Sequence, residues 1–324
     1  MHKRIGMILS ILIIAMLAGG MALFQDDLVG KQADTASLRS VTDSAGRTVQ
    51  IPTRPHRVIV LNASNLDLYY AAGGSVVGKP TTEALSPEVK EAVKSIPAVG
   101  TTANPSVEKL VALNPDLILG VNVPPHHNLL AVLEKAGIPI LLQTLDNYQQ
   151  ILDTLRFYGE LTGQPEQAAG AIAGIEDAYR KVIDKRRTGP APKVLIVWGS
   201  TESFNMATPR SFSGDLLQRI GAENIADTQT VVSAKMNYVP LSMEYVAAKN
   251  PDAILLITHS SDEKVGEKFR NELAKHPAWQ GLKAVMNNRV HILPYHLFAV
   301  NPGTRVGEAL ALLEQLVYPE VAEP

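Results

Sequence analysis

An alternation of short apolar runs with helical patterns occurs twice along this chain, and it limits the folds available more than any single motif does. From Arg57 onward the runs Val58–Leu61, Val76–Val77, Leu117–Leu119 and Ile138–Leu142 are separated by segments such as Leu66–Ala72, Val107–Leu113 and Leu129–Lys135, whose apolar residues fall at helical spacing. Runs this short read as buried strands, and strands that alternate with helices build a sheet with helical crossovers. From Tyr148 to Arg187 the pattern is helical throughout, with a break or kink expected near Gly163-Gln164-Pro165, where proline removes an amide donor. After Gly189-Pro190-Ala191-Pro192 the alternation resumes, with Val194–Trp198, Ala253–Ile257 and Val290–Leu293 as strands. The expected class is α/β: two Rossmann-like lobes, residues 41–147 and 188–324, joined by a single long helix within residues 148–187.

An internal echo supports two equivalent lobes. Ser106–Gly120 aligns with Ser242–Leu256, and eight of the fifteen positions are identical. In each copy a serine precedes a helix, Glu108 or Glu244 sits in its first turn, and Asn-Pro-Asp closes it before a strand. A glutamate there is stabilised by the helix dipole, which accounts for either residue alone. Two of them at matching places suggest more: a pair of surface carboxylates suited to docking on basic residues of a partner.

The N-terminus poses a different question. Met1-His2-Lys3-Arg4 is followed by an apolar stretch from Ile5 to Phe24. As a helix these residues would reach about 30 Å, enough to cross a hydrocarbon core. The same layout suits a secretory signal peptide, with Gly20-Met21-Ala22 offering small residues for cleavage. Residues 1–24 are therefore expected to be a signal peptide or an uncleaved anchor, and residues 25–40 a linker. The chain has 324 residues, 46% of them hydrophobic and 19% charged, so it can bury a sizeable core. A formal charge of −2 argues against nucleic acid as a partner. The absence of cysteine excludes disulfides, thiol nucleophiles and thiolate metal sites. No GxSxG, GxGxxG, Walker A or HExxH pattern occurs, so no enzyme is expected.

Taken in order, Val41–Val60, Val77-Gly78-Lys79, Val99-Gly100-Thr101 and the two Asn-Pro-Asp segments resemble the iron-complex and vitamin B12 class of periplasmic binding proteins. The resemblance runs from about Val41 to Pro319. It implies a class III binding-protein fold with a ligand in the cleft between lobes, delivery to the permease and ATPase of an ABC importer, and a monomeric receptor. It also implies that Glu108 and Glu244 contact permease arginines. Within the class, Lys193–Trp198, Phe212–Leu217, Gly221–Asn224 and Trp279–Val290 are most similar to the haem-receptor lipoproteins of the iron-regulated surface system. That family implies haem as the transported ligand and His259, just after the strand Ala253–Ile257, as an axial iron ligand. Its second ligand, a methionine, falls on Ala103, which cannot ligate iron. Such receptors are usually anchored through a cysteine, and here Leu17-Ala18-Gly19-Gly20 carries glycine instead. Export followed by membrane tethering, or release by cleavage, is the expectation.

Further candidates come from their places at strand exits. His126 and His127 follow the strand Leu117–Leu119, and one of them could replace the missing methionine; helix capping after Pro124-Pro125 is the plainer reading. Tyr295 and His296 form a third strand-exit pair. The turn holding Asn62 and Ser64 enters a helix whose free amides suit an anionic group such as a propionate. Arg210, Lys235 and Tyr238 are candidate partners from the other lobe, and Met206, Met236 and Met243 could supply a thioether or an apolar wall. A ferric siderophore or cobalamin fits the same fold. A bare transition-metal ion, held by histidines from both lobes, is a further alternative.

Overall fold

The computed structural model describes residues 37–185, 189–200, 203–226, 236–258 and 263–319. The chain divides into two compact units at Leu38–Arg39, and the architecture below is that of the second. The N-terminal residues 1–24 lie outside the described residues, as do His259 and Lys235. Among the described residues no helix is long and apolar enough to cross a membrane.

A hairpin of β1 (Leu38–Thr42) and β2 (Thr48–Pro52) precedes the first lobe. There β3 (Val58–Val60), helix α1 (Ala63–Ala71) and β4 (Val76–Gly78) are followed by a small hairpin, β5 (Gly100–Thr101) and β6 (Asn104–Pro105). Helix α2 (Val107–Ala112) then leads into β7 (Leu117–Gly120), and β8 (Ile140–Leu142) completes a parallel sheet ordered β4-β3-β7-β8.

The helical stretch, in which a break or kink is expected, consists of two helices, α3 (Tyr148–Thr162) and α4 (Pro165–Ile183). The break falls at Gly163, which ends α3 with a φ of 71°, and Pro165 opens α4 where its missing amide costs nothing. Thr162 of α3 donates to the Ala72 carbonyl of the first lobe, at 2.6 Å. At 19 residues α4 spans about 28 Å and carries the chain across to the second lobe. There Tyr179 stacks on Tyr148 with ring centroids 4.7 Å apart, and the Arg219 guanidinium lies 4.8 Å from the Tyr148 ring.

The second lobe is built on β9 (Lys193–Gly199), β10 (Phe204–Ala207), helix α5 (Phe212–Arg219) and β11 (Glu223–Asn224). After β12 (Tyr238–Pro240), helix α6 (Met243–Lys249) leads into β13 (Ala253–Thr258), and β14 (Val290–Ile292) follows. The order is β12-β10-β9-β13-β14, with β11 also paired to β9. The three strands read from the sequence are parallel neighbours here, and β10 and β12 add an antiparallel edge. Helix α7 (Val306–Val317) closes the chain against α4.

Period-two burial explains how both sheets share one interior. In β3 and β7, Val58, Val60, Leu117 and Leu119 point into a core that also receives Val194 and Ile196 of β9 and Leu255 and Ile257 of β13. Ile151, Leu155 and Tyr158 of α3 and Ile172 and Ile175 of α4 fill the space between. The alternate residues, Ile59 and Ile118 in one lobe and Leu195, Val197, Ile254 and Leu256 in the other, face separate outer layers.

The echoed segments fold alike down to single hydrogen bonds. Ser106 and Ser242 cap α2 and α6, accepting from Lys109 N and Tyr245 N. Asn114 and Asn250, just after α2 and α6, have φ of 44° and 46°. The Asp116 carboxylate accepts from Arg57 N, and the Asp252 carboxylate from Lys193 N, each at 2.9 Å. Asn-Pro-Asp thus stops a helix and pins the start of the neighbouring strand.

A strap after β14 ties the second lobe back to the first. Ser64 Oγ donates to the Asn301 carbonyl at 2.7 Å, Asn301 Nδ2 donates to the Leu145 carbonyl at 3.1 Å, and Arg305 Nη2 donates to the Ala84 carbonyl at 2.8 Å. Thr304 donates its amide and hydroxyl to buried Asp67, at 2.7 and 2.8 Å. Burial pushes the Asp67 carboxyl up, against the pull of these two bonds. Gly303 has a φ of 61°, and a Cβ there would collide with the Asp67 carboxylate. Gly46 has a φ of 75° but open space around it, so Gly46→Ala should cost only the backbone penalty of about 1–2 kcal/mol. Gly303→Ala should cost clearly more in urea unfolding; equal midpoints for the two variants would refute the steric part of this account.

Candidate functional site

In a parallel sheet all strands end at one edge, and ligands bind beyond that edge. In the first lobe this edge is organised around Asn65, which is fully buried. Its Nδ2 lies 2.9 Å from Asn62 Oδ1, 3.1 Å from the Gly120 carbonyl and 2.8 Å from the Gln143 carbonyl. Its Oδ1 accepts from the Tyr158 hydroxyl at 3.0 Å. One carboxamide therefore fixes the exits of β3, β7 and β8 relative to helix α3. Because Asn62 Oδ1 faces Asn65, Asn62 does not cap α1 with its side chain, and the first-turn amides of α1 are left to other partners.

Beyond these exits lies a cleft of about 680 Å³, a volume in the usual range for small-molecule sites. Asn62 and Ser64 form one part of its wall, Thr81 to Glu83 another, and Thr101 to Ala103 a third. Val121, Val123 and Pro125 give an apolar face beside Thr144 and Leu145. The second lobe contributes Tyr295 and the strap residues Ala299, Val300 and Asn301. Four residues singled out from the sequence, Asn62, Ser64, Ala103 and Tyr295, thus line the same cleft.

The histidine pair does not join them. His126 is completely buried, and its Nδ1 accepts from Val121 N at 2.9 Å. Exposed His127 hydrogen-bonds through Nε2 to Asn122 Oδ1 at 2.6 Å. Neither is among the described residues of the cleft wall, and both hydrogen-bond to the loop that follows β7. Arg210 and Tyr238 are also away from the described wall. Both feel the charge of Asp146, whose Oδ1 accepts from Asn237 Nδ2 at 3.3 Å. Burial, then the Asp146 charge, pushes the Tyr238 phenol up to about 12. Burial raises the Asp146 carboxyl, and Arg210 pulls it back. His296 is exposed, Met206 is buried in the outer layer of the second lobe with Met243 packed against it, and Met236 is exposed. His259 and Lys235 fall outside the described residues; β13 ends at Thr258, so His259 is the next residue in the chain.

Sequence reasoning missed the threonines. Thr82 Oγ1 accepts from Ala84 N at 3.1 Å, Thr101 Oγ1 from Asn104 N at 3.1 Å, and Thr144 Oγ1 from Asn122 N at 2.9 Å. The doublets Thr81-Thr82 and Thr101-Thr102 were the available signal. Asn301 was missed because nothing in its local sequence says that it docks on the other lobe.

Glu108 and Glu244 are both exposed in the first turns of α2 and α6. The Glu244 carboxyl is held below its usual range by its own backbone amide and by Ser242, whose hydroxyl donates to Oε2 at 3.1 Å.

The sequence matches the periplasmic binding protein family across residues 58–297. It is 26% identical over 244 residues to the high-affinity heme uptake system protein IsdE of Staphylococcus aureus, covering 75% of this chain and 80% of that one. The structure of S. aureus IsdE complexed with heme aligns with a TM-score of 0.71 at 24% identity, over 81% of this chain and 98% of that one. An ABC transporter substrate-binding protein of Listeria monocytogenes aligns with 0.72 at 23% identity, over 82% and 99%. S. aureus SirA complexed with staphyloferrin B aligns with 0.69 at 23% identity, over 86% and 97%.

One consequence concerns pH. Burial holds the His126 imidazole below its usual value of about 6.5, and the neighbouring charge of His127 adds to this. The unfolded chain then takes up the proton first. Stability from the neutral ring is complete above pH about 6.5 and is lost as the pH falls below it. Melting temperature should accordingly decline from pH 7 to pH 5. In His126→Asn, whose Oδ1 can replace Nδ1 as acceptor, the decline should be shallower; parallel profiles would refute the assignment.

Proposed function

Since the chain belongs to the periplasmic binding protein family, and is thus a substrate-binding protein of an ABC importer rather than an enzyme, we propose that its cargo is haem, held in the cleft and handed to the permease. The reading is carried by the donor-rich start of α1 on the cleft wall, taken with a histidine that follows β13 in the sequence of the other lobe. Asn62, Ser64 and the side-chain-uncapped start of α1 offer donors for a propionate, and a helix N-terminus favours negative charge. On the other lobe, His259 directly follows β13, and a neutral imidazole is a common haem-iron ligand. Lys235, Arg210 and Tyr238 are proposed as outer donors from the same lobe, and Tyr295 as a contact from the strap. A ferric siderophore is the second reading, because the hydroxyl-rich wall suits an oxygen-rich chelate. The purified protein should bind haemin with a Soret shift that is lost or altered in His259→Ala. No shift with haemin, together with fluorescence quenching by a ferric siderophore or cobalamin, would overturn the haem reading.

Docking is proposed to use Glu108 and Glu244, exposed at the starts of equivalent helices, against arginines of the permease. The receptor is proposed to act as a monomer outside the cytoplasm, tethered through residues 1–24 or released by cleavage near Ala22. The double variant Glu108→Ala with Glu244→Ala should abolish import in cells while leaving ligand affinity intact. Unchanged uptake would refute the docking role.

A further inference from the structure

One guanidinium ties together two elements of the cleft rim. Arg305 Nη2 donates to the Ala84 carbonyl at 2.8 Å and reaches the His296 carbonyl at 3.4 Å. Ala84 follows the first-lobe wall residues Thr81 to Glu83, and its amide donates to Thr82 Oγ1 at 3.1 Å. Thr81 and Glu83 are exposed, which places this loop at the rim. His296 lies in the short helix Tyr295–Phe298, which packs on β13 of the second lobe and carries the cleft residue Tyr295. A single nitrogen thus joins a first-lobe loop to a second-lobe helix, and both carry residues that line the cleft. Its bonds come from a charged donor, the stronger kind.

The strap fixes where Arg305 stands. Thr304 is held on buried Asp67 through both its amide and its hydroxyl, and Gly303 N donates to Asn301 Oδ1 at 2.9 Å. Asp67 lies three residues after Ser64 on α1, and Ser64 takes the Asn301 carbonyl. Arg305 therefore projects from a segment anchored on the first lobe at two points, while the loop and the helix it binds are free to part where nothing else on the strap joins them.

Resting on the reading of this cleft as the cargo site, we propose that Arg305 is a positioning residue: it holds the loop Thr81–Glu83 to the helix carrying Tyr295, and so slows release of the cargo. The core between the lobes keeps the base of the cleft closed, and Arg305 sets the width of its mouth.

Two measurements on the full chain test this. The chain has no cysteine, so cysteines introduced at exposed Thr81 and His296 take spin labels at these two sites alone. The distance distribution between the labels should be narrow with Arg305 present. In Arg305→Met, which keeps an apolar stem and loses every donor, it should broaden and move to longer distances. Arg305→Lys, with one charged nitrogen, should restore it. With haemin as the probe, Arg305→Met should speed release about tenfold, the loss expected for one charge-assisted hydrogen bond, and leave the association rate unchanged. A distribution that is already broad with Arg305 present, or the same in Arg305→Met, overturns the proposal, as does a lysine that fails to restore it or an unchanged release rate. Failure of haemin to bind the protein with Arg305 intact overturns the haem reading instead, and the label distances then decide the role of Arg305 by themselves.

Discussion

The shared inner layer is the constraint on which everything else rests. Val58, Val60, Leu117 and Leu119 of one sheet and Val194, Ile196, Leu255 and Ile257 of the other belong to a single apolar core, bridged by α3 and α4. Each such side chain contributes roughly 1.5–3 kcal/mol when fully buried. A motion that pulled the lobes apart as separate bodies would expose many of them together. Relative movement is therefore restricted to bending that keeps this layer closed, and the cleft changes shape at its mouth rather than at its base.

The same layer dictates where recognition can occur. Both sheets spend their inner faces on the shared core and their outer faces on helices, so no sheet face is left for a ligand. Only the strand ends remain, and there backbone groups need partners. Asn65 supplies them at the exits of β3, β7 and β8, and in doing so turns Asn62 away from the start of α1. The ligand-facing chemistry of the first lobe is thus a by-product of satisfying the buried strand ends.

Much of this was legible in the sequence. The strands from Val58, Leu117, Val194 and Ala253 were readable because two-sided burial demands unbroken apolar runs. The break at Gly163 was readable because Pro165 permits few alternatives, although the division of labour between α3 and α4 was not. The repeat exposed Glu108 and Glu244, and the structure adds why Asp116 and Asp252 recur: each pins a neighbouring strand. The antiparallel β10 and β12 were hidden because both are short and only partly buried, so neither carries an unbroken apolar run. The burial of His126 and the exposure of His127 were not readable, because position at a strand exit says nothing about which way a ring turns. The threonine wall left only its doublets as a sequence signal, for a related reason. A hydroxyl acquires its role from the amide it accepts, and that partner is fixed only by tertiary structure.

The strap around Asn301 makes the boundary between the lobes different in space and in sequence. Residues 299–305 follow the last strand of the second lobe, yet Ser64, Leu145, Asp67 and Ala84 hold them against the first. A first lobe cut out of the chain after β8 would lack part of its own cleft floor, and a second lobe cut out alone would carry an unmoored tail. The two halves look like duplicated modules, but neither is a self-sufficient receptor, and gene fission between them would yield no half-size binding protein.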